Sequence, residues 1–252
     1  ERLDRDDLAF SEDRVAVVPG AAEVRHEGGS AFGLDRHQLA HPPRLRVERC
    51  AMNKWVAGAR PRTLPAAIVP VAVGTAAAVG RVPGGLIWWR AGAAMVVALA
   101  IQVATNYAND YSDGIRGTDE ARVGPVRLVG QRLAAPANVK AAAMLSFGAA
   151  AMAGLALVGL SEAWIMLPLG ALSVLAAWRY TGGDNPYGYR GLGEVYVFVF
   201  FGLMATLGTQ YTQADAVTWF GVLGAVGVGA VASAILVANK CDAAGAEERL
   251  EI

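Results

Sequence analysis

Residues 86–113 read LIWWRAGAAMVVALAIQVATNYANDYSD, an apolar run that passes directly into a polar and acidic segment. The apolar part, residues 86–105, has about the 20 residues that a helix needs to cross the hydrocarbon core of a bilayer. Five further stretches approach or exceed that length, at residues 64–80, 139–160, 163–180, 192–211 and 217–239. The sequence therefore predicts an all-α fold, a polytopic transmembrane helix bundle with six spans.

The charged residues are concentrated at the N-terminus. The chain has 22 acidic and 22 basic side chains. Residues 1–51 hold 10 of the acidic and 8 of the basic ones, and all three histidines. The whole chain is 54% hydrophobic and 17% charged, whereas soluble domains carry about 25% charged residues. This excludes a single soluble domain, and too little amphipathic sequence remains to bury the apolar helices in a large soluble protein. We expect a disordered tail at 1–51, a membrane domain at 52–239 and a polar tail at 240–252.

The composition also excludes several kinds of site. The two cysteines, Cys50 and Cys241, lie near opposite ends of the apolar part, so the chain encodes neither a disulfide framework nor a zinc site. No histidine follows Met52, which excludes imidazole ligands and Ser-His or Cys-His catalytic pairs there. There is no dense basic patch to predict nucleic-acid binding, and no feature predicts a protein partner.

Basic residues are distributed unequally between the loops of the predicted bundle. Ten of them fall on one side: Lys54, Arg60, Arg62, Arg116, Arg122, Arg127, Arg132, Lys140, Arg179 and Arg190. The other side receives only Arg81 and Arg90. The positive-inside rule then predicts a multi-pass protein of the cytoplasmic membrane whose two long polar loops, 106–138 and 179–191, face the cytoplasm.

The polar segment after the second span suggests a binding site for a metal ion and phosphate. Four amide and carboxylate side chains fall on one face if the helix continues: Asn106, Asn109, Asp110 and Asp113. Carboxylates and phosphate oxygens are the ligands that Mg²⁺ prefers, and three arginines that follow could bind phosphate: Arg116, Arg122 and Arg127. The alternative is a solvated acidic helix end with ordinary counter-charges, and the spacing alone does not decide between the two.

Residues 109–113, NDYSD, resemble the first aspartate-rich motif of the UbiA superfamily of intramembrane prenyltransferases. The longer string 106–119 is more narrowly similar to the members that prenylate 1,4-dihydroxy-2-naphthoate. Four other stretches agree with that group: RPRTLP at 60–65, GPVR at 124–127, YTGG at 180–183 and PYGYRGLGE at 186–194. The resemblance extends over residues 52–239.

The resemblance implies a bundle of nine transmembrane helices around a central cavity, of which six are present in this sequence. In that family Mg²⁺ holds the diphosphate of a polyprenyl donor. The prenyl group would be transferred to 1,4-dihydroxy-2-naphthoate with loss of its carboxylate, giving demethylmenaquinone. Another aromatic acceptor, 4-hydroxybenzoate or homogentisate, is an alternative. A cation transporter is an alternative from another class, although transporters place such sites near the membrane midplane.

The resemblance also implies roles for individual residues. Those implied to bind the metal are Asn109, Asp110, Asp113 and Asp119, and those implied to act in catalysis are Asp110, Asp113 and Arg116. From the resemblance together with the residue chemistry of the two loops, the residues predicted to bind substrate are Asn106, Arg122, Arg127, Tyr180, Tyr187, Tyr189, Arg190, Glu194 and Asn239. Tyrosine π-faces would stabilise a prenyl carbocation, and Arg190 would bind the anionic acceptor. The alternative for the tyrosines is an interfacial aromatic belt.

The resemblance weakens after Asn239. Members of the family have a second aspartate-rich motif at the end of the sixth helix, with two aspartates four residues apart. This chain continues with Lys240, Cys241 and Asp242, and no aspartate follows four residues after Asp242. Half of the implied metal cluster and three implied helices are therefore not found in this sequence. We expect that the chain as written does not catalyse prenyl transfer by itself.

Overall fold

The computed structural model describes residues 53–117, 126–183 and 185–248, all within one compact unit, Arg49–Ile252. This part of the chain contains helices and connecting turns but no strand, which confirms the predicted all-α fold. The α-helices are α1 (Lys54–Gly58), α2 (Pro65–Ala77), α3 (Trp88–Arg116), α4 (Pro136–Ser161), α5 (Met166–Arg179), α6 (Gly193–Val197), α7 (Ala205–Ala214) and α8 (Trp219–Glu248). The other helical segments are the 3₁₀ turns Pro61–Thr63 and Tyr187–Arg190 and the π-helical segment Phe198–Met204.

The six predicted spans correspond to six apolar helical segments, two of which are shorter than predicted. Within the described residues, four are long and apolar enough to cross a membrane: Trp88–Arg116, Pro136–Ser161, Gly193–Ala214 and Trp219–Cys241. The helices α2 and α5 have 13 and 14 residues. The helix α2 begins at Pro65, one residue after the predicted start, and is shorter because it ends at Ala77. The turn before it contains Arg60 in a left-handed backbone, with a φ of 53°. Glu162, with a φ of 58°, ends α4, and α5 begins only after the turn that follows.

The helix α3 carries the predicted polar segment without interruption. It has 29 residues and ends at Arg116, because Gly117 adopts a left-handed backbone with a φ of 73° and donates its N–H to the carbonyls of Asp113 and Gly114. The spacing of residues 106–113 is therefore helical throughout. The condition for the polar face is therefore met, and the four amide and carboxylate side chains lie on successive turns of one helix.

Close contacts between helices depend on glycine, as in other membrane bundles. A Cβ atom on Gly74 of α2 would lie 2.3 Å from the carbonyl oxygen of Thr206 in α7. A Cβ atom on Gly202 of the π-helical segment would lie 2.5 Å from the Cα atom of Gly229 in α8. In contrast, a Cβ atom on Gly148 of α4 would meet nothing within 4 Å. Close approach is thus confined to particular glycines and is not a property of every glycine-rich stretch.

Two buried glutamines of α7 hold the end of the bundle that lies opposite the polar end of α3. Gln213 accepts from the N–H of Ile87 at 3.1 Å and donates to its carbonyl at 3.0 Å. Gln210 donates to the carbonyl of Ala77 at 2.9 Å and to the hydroxyl of Thr218 at 2.7 Å. Backbone groups at the ends of α2 and α3 are thereby satisfied where water is scarce. These contacts fix one end of the bundle.

Of the two predicted domain boundaries, only the one after Asn239 lies within the described residues. The tail at 1–51 lies outside them. The helix α8 continues through the boundary predicted after Asn239 and ends at Glu248. The division at residues 51 and 239 stays a prediction.

Candidate functional site

A cavity of about 1920 Å³ lies inside the bundle, with walls that include residues of α2 to α8. Much of its lining is apolar and includes Val71, Phe147 and Phe201. The amide and charged side chains in its lining are Arg60, Arg62, Gln102, Asn106, Asn109, Asp113, Arg127, Asn239 and Lys240. Among the described lining residues, four cationic side chains thus accompany a single carboxylate, a balance that favours an anionic group.

Three of the predicted polar residues of α3 line this cavity together. They are Asn106, Asn109 and Asp113, and Asp113 is only 4% exposed. Nη1 of Arg127 lies 3.4 Å from Oδ2 of Asp113, which joins the segment after α3 to the helix. Oδ1 of Asn109 accepts a hydrogen bond from the hydroxyl of Thr181 at 2.8 Å. The structure therefore brings oxygen ligands and a guanidinium group to the same end of the cavity.

Asn106 positions the segment that precedes α2. Its Nδ2 atom donates to the carbonyl of Ala59 at 2.8 Å and to the hydroxyl of Thr63 at 3.0 Å. The hydroxyl of Thr63 in turn donates to the carbonyl of Arg60 at 2.9 Å. These bonds hold the left-handed turn at Arg60, so that Arg60 and Arg62 line the cavity.

Gln102 was not among the predicted site residues, although it extends the polar face of α3 one turn deeper into the apolar span. It lines the cavity, and its Nε2 atom donates to the hydroxyl of Thr63 at 3.0 Å. Gln102 precedes Asn106 by four residues, and an amide within an otherwise apolar span was the signal available in the sequence. The polar face of α3 therefore begins inside the span.

Asp110 differs from its neighbours because it does not line the cavity. It is fully buried, with 0% exposure. Its Oδ2 atom accepts from the N–H of Leu128 at 2.8 Å, and its Oδ1 atom accepts from the N–H of Val129 at 3.2 Å. The carboxylate is thus bonded to the backbone that follows Arg127.

Arg116 also lies outside the cavity lining. Its guanidinium donates to the carbonyls of Thr181 and Gly183 in the loop after α5. These contacts tie the end of α3 to that loop. The resemblance implied a catalytic role for Arg116. In the structure, Arg116 instead contacts the second polar loop.

Two of the predicted tyrosines form part of an aromatic row along the cavity. Tyr180 and Tyr187 meet edge to face at 5.5 Å, Tyr187 stacks on Tyr196 at 3.7 Å, and Tyr196 lies 5.8 Å from Phe200. All four rings line the cavity. The hydroxyl of Tyr187 donates to the carbonyl of Ala176 at 2.7 Å. Burial raises the pKa of Tyr187, and its neighbours Tyr196 and Tyr180 raise it further, so this hydroxyl stays protonated at neutral pH.

The remaining predicted residues are dispersed. Arg190 is exposed and does not line the cavity. Glu194 pairs with Lys240 of α8 at 2.5 Å, and Asn239 contributes to the cavity lining. The side chain of Tyr189 and the residues Asp119 and Arg122 lie outside the described part of the chain.

The described residues contain no group of three or more His, Cys, Asp or Glu side chains able to hold a metal ion. The oxygens that line the cavity at the end of α3 belong to Asp113 and Asn109. Mg²⁺ sites that act on phosphates often use one or two carboxylates, with water and substrate oxygens completing the shell. The donor set fits a Mg²⁺ ion shared with a phosphate ligand and does not fit an all-protein metal cage.

Comparison with known families identifies the fold. The sequence profile of the UbiA prenyltransferase family matches residues 67–248. The chain belongs to this family. Its membership and its apolar helices make it a multi-pass membrane protein. The resemblance drawn from the acidic motif and the four flanking stretches is confirmed.

Three relatives are similar over most of the chain. The 1,4-dihydroxy-2-naphthoate octaprenyltransferase of Mycobacterium tuberculosis is 57% identical over 187 residues, which cover 74% of this chain and 63% of that protein. The Escherichia coli protein of the same name is 36% identical over 199 residues, covering 74% and 62%. The 2-carboxy-1,4-naphthoquinone phytyltransferase of Synechocystis is 28% identical over 170 residues, covering 66% and 52%. This UbiA chain thus spans less than two thirds of the length of these relatives, and no solved structure matches it.

Proposed function

We propose that this UbiA chain takes part in prenyl transfer from a polyprenyl diphosphate to 1,4-dihydroxy-2-naphthoate, with decarboxylation to demethylmenaquinone. The observation that carries the proposal is the cavity, which joins a cationic and amide-lined end to a long apolar interior. A polyprenyl diphosphate has the same two parts. The M. tuberculosis and E. coli relatives are named for this acceptor, which favours it over 4-hydroxybenzoate or homogentisate. Family membership argues against a cation transporter.

In this proposal the diphosphate binds beside Asp113. The guanidinium groups of Arg60, Arg62 and Arg127 line that part of the cavity and would bind phosphate oxygens. Asp113 and Asn109 would hold Mg²⁺ together with the diphosphate. When bound, Mg²⁺ would neutralise negative charge on the departing diphosphate. Asp119 and Arg122 remain candidates from the sequence for the same site.

The apolar interior would receive the prenyl chain, and the aromatic row would face the allylic carbon. Aromatic faces attract cationic character, and the four rings form a continuous wall from the second loop into the bundle. The hydroxyl of Tyr187 is occupied by the carbonyl of Ala176 and stays protonated. Tyr187 would therefore contribute its ring and would not act as a base.

We propose an orientation with the polar end of α3 at the cytoplasmic face of the cytoplasmic membrane. The basic side chains that line this end of the cavity support it, because cytoplasmic loops carry the excess of Lys and Arg. Exposed tryptophans, Trp88, Trp164 and Trp219, lie at the other end of the bundle, as expected for residues at a membrane interface. Both substrates would then enter from the cytoplasmic side or from the bilayer.

The proposal is tested with a chimera that supplies the rest of the relatives' length. Residues 52–239 replace the matched segment of the M. tuberculosis protein, and membranes carrying the chimera receive Mg²⁺, a polyprenyl diphosphate and one acceptor. We expect demethylmenaquinone with dihydroxynaphthoate and little product with 4-hydroxybenzoate. An inserted chimera, present at the abundance of the parent, that makes no product or prefers 4-hydroxybenzoate would contradict the proposal.

A further inference from the structure

We propose that Asp110 is a positioning residue. Its carboxylate holds the backbone of Leu128 and Val129 and thereby fixes Arg127 at the charged end of the cavity. This replaces the metal-ligand and catalytic roles implied for Asp110 by the resemblance. The inference rests on the proposed function, because it treats Arg127 as a diphosphate contact.

The carboxylate of Asp110 is already occupied. Each oxygen accepts a backbone N–H, from Leu128 at 2.8 Å and from Val129 at 3.2 Å. Hydrogen bonds to an ionised acceptor are roughly twice as strong as those between neutral groups. With 0% exposure, the carboxylate has no water to replace either bond. The oxygens keep further lone pairs, but the side chain is buried against the backbone of Leu128 and Val129 and does not line the cavity, so it does not face a ligand bound there.

The segment that Asp110 holds is packed tightly against α3 and α1. The side chain of Leu128 is fully buried, and a Cβ atom on Gly58 would lie 2.6 Å from it. A Cβ atom on Gly114, one turn beyond Asp110, would lie 2.4 Å from the side chain of Val129. The carbonyl of Leu128 accepts from the N–H groups of Leu133 and Ala134. The turn is therefore fixed at both its side chains and its backbone.

The consequence falls on Arg127, which directly precedes the two bonded residues. Its guanidinium lines the cavity with Nη1 3.4 Å from Oδ2 of Asp113. A long side chain binds an anion more tightly when its backbone is already fixed, because less conformational entropy is lost on binding. Asp110 and Asp113, three residues apart, would then serve one site in two ways. Asp113 faces the bound diphosphate. Asp110 fixes the backbone next to Arg127, whose guanidinium faces the same diphosphate.

The positioning role is tested first without any ligand. In Asp110→Asn the side chain keeps its shape but offers one acceptor oxygen, and its NH₂ group meets the other backbone N–H as donor against donor. Hydrogen exchange of the purified full chain in lipid nanodiscs should accelerate at residues 126–134 and stay unchanged in α4. Ser112→Ala, a buried change on the same helix, is the matched control and should leave residues 126–134 protected. Unchanged exchange at 126–134 in Asp110→Asn would overturn the inference.

The effect on Arg127 is tested with inorganic pyrophosphate and Mg²⁺ as the probe. We expect Asp110→Asn and Arg127→Ala each to weaken pyrophosphate binding by about tenfold, and the double variant to match either single variant within about twofold. The Mg²⁺ concentration for half-maximal binding should be unchanged in Asp110→Asn and raised in Asp113→Asn. Effects that multiply in the double variant, or a raised Mg²⁺ requirement in Asp110→Asn, would overturn the positioning role.

Two further results keep this test separate from the proposed function. A wild-type chain that binds no pyrophosphate with Mg²⁺ would count against the proposed function, while hydrogen exchange would still decide the role of Asp110. If Asp110→Asn does not fold, Val129→Pro removes one of the two donors from the loop side and leaves α3 intact. We expect Val129→Pro to reproduce the tenfold loss of affinity, and full affinity in that variant would contradict the inference.

Discussion

At the scale of single residues, Asp110 and Asp113 have different surroundings although they share one motif. Successive residues of an α-helix are about 100° apart, so these two side chains lie about 60° from each other around α3. That angle separates the cavity, which Asp113 lines, from the backbone of Leu128 and Val129, which Asp110 holds. Sequence spacing places both on one broad face and cannot distinguish them, because the partner of Asp110 lies 18 residues further along the chain.

Tyr187 gives a prediction at the same scale. Its pKa is raised by burial, so folding favours the protonated hydroxyl. That contribution to stability is complete below pH ~10 and is lost as pH rises through the higher pKa of the folded state. In the active chimera, Tyr187→Phe should keep the parent's pH–rate profile between pH 6 and 9 and most of its turnover, while Tyr187→Ala should lose at least tenfold because the ring is removed. If the rate of Tyr187→Phe no longer rises or falls with pH where the parent's rate does, the hydroxyl titrates in the reaction and the prediction is wrong.

At the scale of elements, the sequence was most informative about α3 and least about α2 and α5. The spacing of the polar residues 106–113 fits one face of a helix if the second span continues, and α3 does continue to Arg116. The turn before α2 and the late start of α5 depend on left-handed backbones at Arg60 and Glu162, residue types that give no such signal in a sequence. Hydrogen bonds from Asn106 hold the first of these turns, and such a tertiary contact is not visible in local spacing.

For the second polar loop, the sequence predicted some of the residues that line the cavity but not all of them. Its tyrosines were expected to provide aromatic surface, and Tyr180 and Tyr187 do line the cavity. Arg190 was expected to bind the acceptor, yet its side chain is exposed outside the cavity lining. The row continues into the next helix through Tyr196 and Phe200, which the loop sequence could not indicate because they belong to a different element.

Helix packing gives a prediction that needs no substrate. Gly74→Ala should destabilise the bundle by about 1–3 kcal/mol, because the new methyl group overlaps the carbonyl oxygen of Thr206. The matched control is Gly148→Ala, where the added methyl group meets open space and only improves helix propensity. Thermal unfolding of the purified chain in detergent compares the two variants. Equal midpoints for Gly74→Ala and Gly148→Ala would show that α2 and α7 do not approach as described.

At the scale of the whole molecule, the basic side chains predict which end faces the cytoplasm. In a chain with Cys50 and Cys241 replaced by serine, Gln131→Cys places a thiol near the polar end of α3, and Ala216→Cys places one in the turn between α7 and α8. Both positions are exposed. In sealed cells an impermeant maleimide should label Ala216→Cys, and it should label Gln131→Cys only after the cells are opened. Labelling of Gln131→Cys in sealed cells would reverse the proposed orientation.

The central claim is that one cavity receives a prenyl diphosphate with its head beside Asp113 and its chain in the apolar interior. A prenyl diphosphate with a diazirine at the end of its chain tests this most directly, by photocrosslinking to the full chain in nanodiscs followed by mass spectrometry. We expect label on cavity-lining residues such as Leu155 and Leu167, and we expect it to be removed by excess pyrophosphate with Mg²⁺ and reduced by Asp113→Ala. Label that survives pyrophosphate and falls equally on Leu145 and Met152, which are exposed outside the cavity lining, would contradict it.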